Sequence, residues 1–234
     1  MSVFEEIKQA GGDLFVAGLV DSGSGSISVR QGDRILMTRL NAPLAHLSES
    51  DVIDLPLEGT ADNDQSAARE LPVHRAIYKE TDFKALIFSN PPFGIALSGS
   101  TDNKIMPPDM KGQAVLKSIP VVRAKAIMPG REQIGVEELT KFLPPVYRSG
   151  YVVALVKDYG CFAVGENVAE ALRFTTCVEA SCKIIAVSKM VSAQSEKSHR
   201  RNDQPSQPQR RSAIPPSIGV MDRSRGGYKR GFGR

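Results

Sequence analysis

The stretch from Glu70 to Leu97 does most to limit what this chain can fold into. Leu71, His74, Ile77 and Tyr78 fall at i, i+3, i+6 and i+7, so the spacing predicts a helix over 70–81 with one apolar face that must pack on a sheet. Ala85-Leu86-Ile87-Phe88-Ser89 follows as a compact buried strand ending at Pro91-Pro92, and Phe93 to Leu97 resumes a helix. A helix, a buried strand and a second helix in immediate succession call for layers of helix against sheet.

The rest of the chain extends that alternation. Residues 2–20 carry a helical pattern that is expected to stop at Gly11-Gly12, before the Gly/Ser cluster Ser22-Gly23-Ser24-Gly25-Ser26. Ile27 to Arg30 and Arg34 to Thr38 flank Gln31-Gly32-Asp33 as a hairpin. Ser48 to Asp51 reads as a short turn before a strand over 52–57. Ile119 to Val122, Tyr151 to Val156 and Cys161 to Val164 are further strands, and 166–191 is the longest helix. Interleaved strands and helices give an α/β/α sandwich class.

From Ser192 onward the apolar period ends, and Ser, Gln, Pro, Arg and Gly take over. Residues 193–234 hold 10 Lys+Arg and 3 Asp+Glu, against 20 and 23 in residues 1–192, so a slightly acidic body precedes a basic segment. The division expected is a domain over 1–192 and a disordered tail over 193–234, because so polar a segment cannot bury enough surface to offset its ordering entropy. Such a tail suits an anionic partner: RNA, an acidic protein or a membrane surface. Tyr228 and Phe232 among its Arg and Gly residues are able to stack on bases. No apolar run approaches the ~20 residues of a membrane span, and the amphipathic Phe4-Glu5-Glu6-Ile7 is unlike a secretory signal. Cys161, Cys177 and Cys182 are odd in number with no CxxC spacing, which points to reduced packing residues in a cytoplasmic protein.

Several words in fixed order carry a family resemblance. Gly18-Leu19 before the Gly/Ser loop, Ile27-Ser28-Val29-Arg30, Leu47 to Val52, Glu70 to Tyr78, and Asp158-Tyr159-Gly160-Cys161-Phe162-Ala163-Val164-Gly165 before Ala169-Glu170-Ala171 together resemble the class II aldolase/adducin family across roughly 3–190. The resemblance implies a three-layer α/β/α sandwich around a mainly antiparallel sheet, like that of the L-fuculose-phosphate aldolases. It also implies a homo-oligomer, with a tetramer as the common family plan. In the family's enzymes a glutamate and three histidines hold a divalent metal that polarises the substrate carbonyl. The glutamate position here is Glu70; the histidine positions read Phe88, Asn90 and Tyr159.

Phe88 has no lone pair to donate, Asn90 offers a weak amide oxygen, and a phenol with an ordinary pKa near 10 makes Tyr159 a poor ligand at neutral pH. No metal ligand set and no cofactor are therefore expected; zinc or another divalent metal would require this reading of the site to fail. His46 lies in the turn before Ser48, and His74 on the packed helix face reads as a hydrogen-bonded structural histidine. Ser22, Gly23, Ser24, Gly25 and Ser26 are the candidate substrate or anion site, a nest of backbone amides; a plain tight turn is the alternative. Ser26 stands where the family has asparagine, Ala68-Arg69 where it has a serine pair, and Thr38-Arg39-Leu40-Asn41 departs from its Thr-Pro-Ser-Gly loop. Glu70, the candidate catalytic residue, reads either as a base raised in pKa by burial or as a first-turn carboxylate facing helix amides; without a metal the second is favoured.

Three functions follow as expectations. The first is a catalytically degenerate family member acting as an oligomeric scaffold or interaction module, for which adducin is the family's precedent. The second is an aldolase, lyase or isomerase acting on a sugar phosphate or small carbonyl compound with an altered or weak metal site. The third is RNA or anionic-partner binding through the basic segment.

Overall fold

The computed structural model describes residues 1–101, 103–123 and 134–202. The chain divides into two units, Met1–Gln194 and Ser195–Arg234. The first holds an eight-stranded sheet in the order β3-β2-β1-β4-β8-β7-β6-β5. Its strands are β1 (Ser26–Gln31), β2 (Arg34–Thr38), β3 (Val52–Pro56), β4 (Ala85–Ser89), β5 (Lys104–Ile105), β6 (Ile119–Val122), β7 (Val153–Val156) and β8 (Gly160–Gly165). Every pairing is antiparallel except β6 with β7.

The central strands sort their side chains by the period of two. In β4, Leu86 and Phe88 join one core, shared with Phe162 and Val164 of β8 and Ala154 and Val156 of β7. Helices α2 (Leu71–Glu80) and α5 (Ile134–Arg148) close that face with Leu71, Val73, Ile77, Leu139 and Leu143. Ala85 and Ile87 point the other way, toward Ile7, Ala10 and Leu14 of α1 (Val3–Val16). Farther along that face, Val153, Leu155, Cys161 and Ala163 meet Phe174, Cys177, Val178 and Cys182 of α6 (Val168–Asn202), with α3 (Pro92–Gly99) and α4 (Met110–Leu116) beside them. This is the α/β three-layer arrangement the sequence implied, mainly antiparallel in its sheet.

Four local readings differ. Helix α1 continues through Gly11-Gly12 to Val16. Gly11 lies against Leu44, whose carbonyl a Cβ would strike, so this glycine permits close packing and does not end the helix. Helix α6 runs past Val191 to Asn202, so residues 193–202, expected as the start of the tail, continue the helix; Ala193, Gln194, Glu196, Lys197, Arg200 and Arg201 are good helix formers. The remainder of that expected tail lies outside the described residues. Helix α4 was not anticipated. Nor was α5, which holds Pro144 and Pro145 in its interior.

Candidate functional site

The cleft forms where five chain segments meet at one end of the sheet. Gly23, Ser24 and Gly25 come from the loop before β1, Leu40 and Asn41 from the loop after β2, and Ala68, Arg69 and Glu70 from the approach to α2. Phe88 and Asn90 lie at the end of β4, and Tyr159 in the turn between β7 and β8. The cleft encloses about 240 Å³. Phe88 and Tyr159 line it, and an opening beside Glu70 remains between them and the loops. A larger groove of about 760 Å³, between α1 and α6, is lined by none of the candidate residues.

Glu70 is the N-cap residue of α2, but its side chain makes no capping bond. Its backbone carbonyl accepts from the Val73 and His74 amides at 2.9 and 3.0 Å. The carboxylate turns into the cleft instead, where the Tyr159 hydroxyl donates to Oε1 at 2.7 Å. The expected capping of the helix's free amides is not formed: α2 packs by its apolar face, and the Glu70 carboxylate accepts from Tyr159 and from its own backbone amide. With 7% of its surface exposed, Glu70 has its pKa raised chiefly by burial, against the lowering effects of the Tyr159 bond, a bond from its own backbone amide, the charge of Arg69 and a bond from Ser26. Burial, and then the charge of Glu70, push the Tyr159 phenol far above its ordinary range, so it stays protonated and serves as a donor.

Phe88 backs this pair. Its ring stacks on Tyr159 with centroids 4.9 Å apart and planes at 26°, and leans on Phe162 at 4.7 Å. Asn90 donates from Nδ2 to the Tyr159 carbonyl at 3.0 Å, and its buried Oδ1 has no hydrogen-bond partner among the described residues.

His74 takes no part in the cleft wall. It is fully buried in α2, with Nδ1 2.7 Å from Ser28 Oγ and Nε2 3.2 Å from Ser26 Oγ. Ser28 Oγ in turn lies 2.8 Å from the Tyr78 hydroxyl, which donates to the Ser28 carbonyl at 3.0 Å. Burial lowers the His74 pKa to about 3, leaving a neutral ring with both nitrogens engaged. His46 sits in a single turn over Leu44–His46, apart from the cleft.

The structure separates the candidate anion loop into parts. Ser22 is exposed and does not line the cleft, while Ser26 is buried at the start of β1 and bonded to His74. Gly23, Ser24 and Gly25 line the wall. Asp21 works on this loop from its edge: its carboxylate accepts from the Gly23 amide at 3.0 Å, while its own amide donates to Ser24 Oγ at 3.0 Å. The Gly23 bond, followed by the Ser24 hydroxyl, holds the Asp21 pKa below the usual carboxylate range. Sequence reasoning missed Asp21, although Asp-Ser-Gly is a recognisable Asx-turn signature.

These donors do not suit a divalent metal. Among the described residues, Glu70 is the one carboxylate in the cleft wall. Phe88 contributes carbon, and the Tyr159 oxygen holds a proton that it shares with Glu70. No group of three or more His, Cys, Asp or Glu side chains converges among the described residues. A three- or four-ligand site with lone pairs in fixed geometry has no counterpart among them.

The Class II Aldolase and Adducin N-terminal domain model matches residues 5–186. The chain belongs to that family. Its fold agrees with the family's: L-fuculose-1-phosphate aldolase from Thermus thermophilus superimposes with a TM-score of 0.75 at 29% identity, over 82% of this chain and 96% of that one. YgbL of Klebsiella pneumoniae, described as a putative aldolase/epimerase/decarboxylase, shares the fold with a TM-score of 0.70 at 22% identity, over 79% and 88%. A probable bifunctional methylthioribose-1-phosphate isomerase/methylthioribulose-1-phosphate dehydratase of Nocardia farcinica is 23% identical over 188 residues, 74% of this chain. The chain spans 33% of the length of that curated relative.

Proposed function

We propose that this class II aldolase family member has given up metal-dependent chemistry and serves as a non-catalytic binding and assembly module. The observation that carries the reading is the Tyr159 hydroxyl donating to Glu70 at 2.7 Å, with the Phe88 ring stacked behind it. A lone carboxylate committed to a phenol is a poor anchor for a Lewis acid, and without one the charge of an enediolate has no cation to stabilise it. On this reading the chain assembles into a symmetric homo-oligomer, a tetramer in the family's plan, and presents a basic segment at 193–234 from every subunit. Multivalent display then strengthens individually weak contacts with an anionic partner.

The test combines metal content, activity and mass. The dialysed full chain is expected to hold well below one zinc per subunit and to leave L-fuculose 1-phosphate uncleaved with or without added zinc. Its native mass is expected at a multiple of the 25.3 kDa chain. The triple substitution F88H/N90H/Y159H is expected to bind about one zinc per subunit. Stoichiometric zinc in the unmodified chain, together with zinc-dependent cleavage, overturns the proposal.

One observation favours a second reading, in which catalysis persists. Glu70 lines an open cleft with its pKa raised by burial, as suits a general base acting on a sugar phosphate or small carbonyl compound. A measurable aldol, lyase or isomerase activity that Glu70→Gln abolishes in a folded protein would establish it.

A further inference from the structure

We infer that the distal part of α6 is a contact between copies of this chain: two α6 helices pair in parallel and in register through Ile184, Val187 and Val191. The inference rests on the assembly reading above and deepens it by naming the surface and the partner.

Spacing is the first observation. Ala180, Ile184, Val187 and Val191 recur at intervals of four, three and four residues, the alternation that keeps one seam facing a second helix. Helix α6 packs on the sheet by Phe174, Cys177, Val178 and Cys182, with Ile185 partly buried against the same cluster. The seam lies on a different face, where Ile184, Val187 and Val191, with Met190 beside them, are 42–63% exposed. The family match ends at residue 186, so Val187, Met190 and Val191 belong to what this chain carries beyond it.

Helix chemistry gives these residues no reason to face water. β-Branched side chains lose χ1 freedom on a helix and form it less readily than Ala, Glu or Lys. A helical stretch this short is marginal unless one face packs. Helix α4 enlarges the exposed face. The Ser181 hydroxyl donates to Asp109 Oδ1 at 2.7 Å, which fixes the first turn of α4 against α6 one turn before Ile184, and Met110, next to Asp109, is 88% exposed. These five side chains bare on the order of 500 Å² per chain, toward the upper end of the ~300–600 Å² of the largest apolar patch on a typical monomer. Two copies together bury about 1,000 Å², the size at which a specific interface begins.

Charge permits this surface to meet itself. In a parallel pair Lys183 flanks the seam opposite Ser188 of the second copy, and Lys189 falls on the outer face, so no like charges meet across the seam. Lys183 is also drawn aside, with Nζ 5.8 Å from the centroid of the Phe93 ring. β-Branched Ile184 and Val191 in alternate layers favour two strands.

The test compares full-length chains by light scattering at about 100 μM, a concentration suited to an interface of this size. The double variant V187E/V191E puts carboxylates into consecutive layers of the seam while keeping good helix formers. It is expected to show half the native mass of the unmodified chain with unchanged circular dichroism, whereas V187I/V191I is expected to keep the full mass. A second arm uses the burial of the three native cysteines, which leaves an introduced thiol as the one open to a short bismaleimide. Ile184→Cys is expected to cross-link into a two-chain species, and Lys189→Cys, on the outer face, to remain single. Full mass in V187E/V191E overturns the proposal, as does a monomeric unmodified chain or the absence of the Ile184→Cys cross-link. Retention on phosphatidylcholine vesicles that V187E/V191E abolishes without changing the mass would assign the face to a lipid surface and overturn it as well. Zinc-dependent cleavage by an unmodified chain whose mass still halves in V187E/V191E would overturn the non-catalytic reading alone.

Discussion

Glu70 and His74 lie four positions apart in sequence, yet burial moves their titrations in opposite directions. Glu70 is an acid whose folded pKa is raised, so its contribution to stability is present below the unfolded value and is lost as pH rises through the folded value. At pH 7 its charge therefore weighs against folding. Glu70→Gln keeps an oxygen to accept from Tyr159 and removes the charge, so its melting temperature at pH 7 should rise by about 2 to 4 °C, the equivalent of roughly 1 kcal/mol in a chain of this length. The gain should vanish at pH 4, where the native carboxyl is protonated; an unchanged or lower melting point at pH 7 would rule out desolvation as the dominant effect. His74 behaves conversely. Its folded pKa is depressed to about 3 from 6.5, so its contribution is full above pH 6.5 and is lost as pH falls toward 3, at up to about 1.4 kcal/mol per pH unit. His74→Gln should be less stable at neutral pH by about 1 to 3 kcal/mol, because both serines lose their geometry. Its chemical denaturation midpoint should also fall less steeply than that of the native chain between pH 6 and 4, and parallel pH slopes would refute the buried neutral imidazole.

At the scale of elements, β8 must pass close to β4 for Phe88 to lie over the sheet and stack on Tyr159. Gly160 makes that approach possible: a Cβ there would stand 2.5 Å from both Phe88 Cε2 and the Ser89 carbonyl oxygen. The ring is able to tilt, but a strand carbonyl in a pairing ladder cannot, so Gly160→Ala is expected to cost about 2 to 3 kcal/mol in urea denaturation. A loss below about 0.5 kcal/mol would mean that β4 and β8 have slack. This region also marks the limit of what the sequence discloses. Helix α2 and strand β4 are legible because Leu71, Ile77 and Tyr78 recur at helical spacing and Ala85 to Ser89 form a bounded apolar run. Helix α1 through Gly11-Gly12 and helix α5 across Pro144-Pro145 are hidden, since residues that ordinarily punctuate are there tolerated by packing. The candidate site was legible as a set of positions, with Phe88, Asn90, Tyr159 and Glu70 all reaching one cleft. Its hydrogen bonding was not: Tyr159 and Glu70 are 89 positions apart, and nothing local reveals that a phenol points at a carboxylate. Asp21, by contrast, was readable from its turn.

At the scale of the whole molecule, charge is divided along the chain. Residues 1–192 carry three more acidic than basic side chains, whereas 193–234 carry 10 Lys+Arg against 3 Asp+Glu. Polyanion binding should therefore reside in the second segment and be opposed by the first. Each cation that neutralises a phosphate of single-stranded RNA contributes about −0.7 to the slope of log K against log salt. Ten cations set a limit of about −7, and partial engagement should give a slope of about −3 to −4. Full-length chain and a chain lacking 203–234, compared for retention of single-stranded RNA between about 50 and 200 mM salt, are therefore expected to differ sharply. The longer one should bind at low salt and lose affinity by about a hundredfold, while the shorter one, keeping helix α6 through Asn202, should show little retention at either salt. Retention that survives the truncation would place the RNA contact within residues 1–202 instead, where Lys197, Arg200 and Arg201 remain.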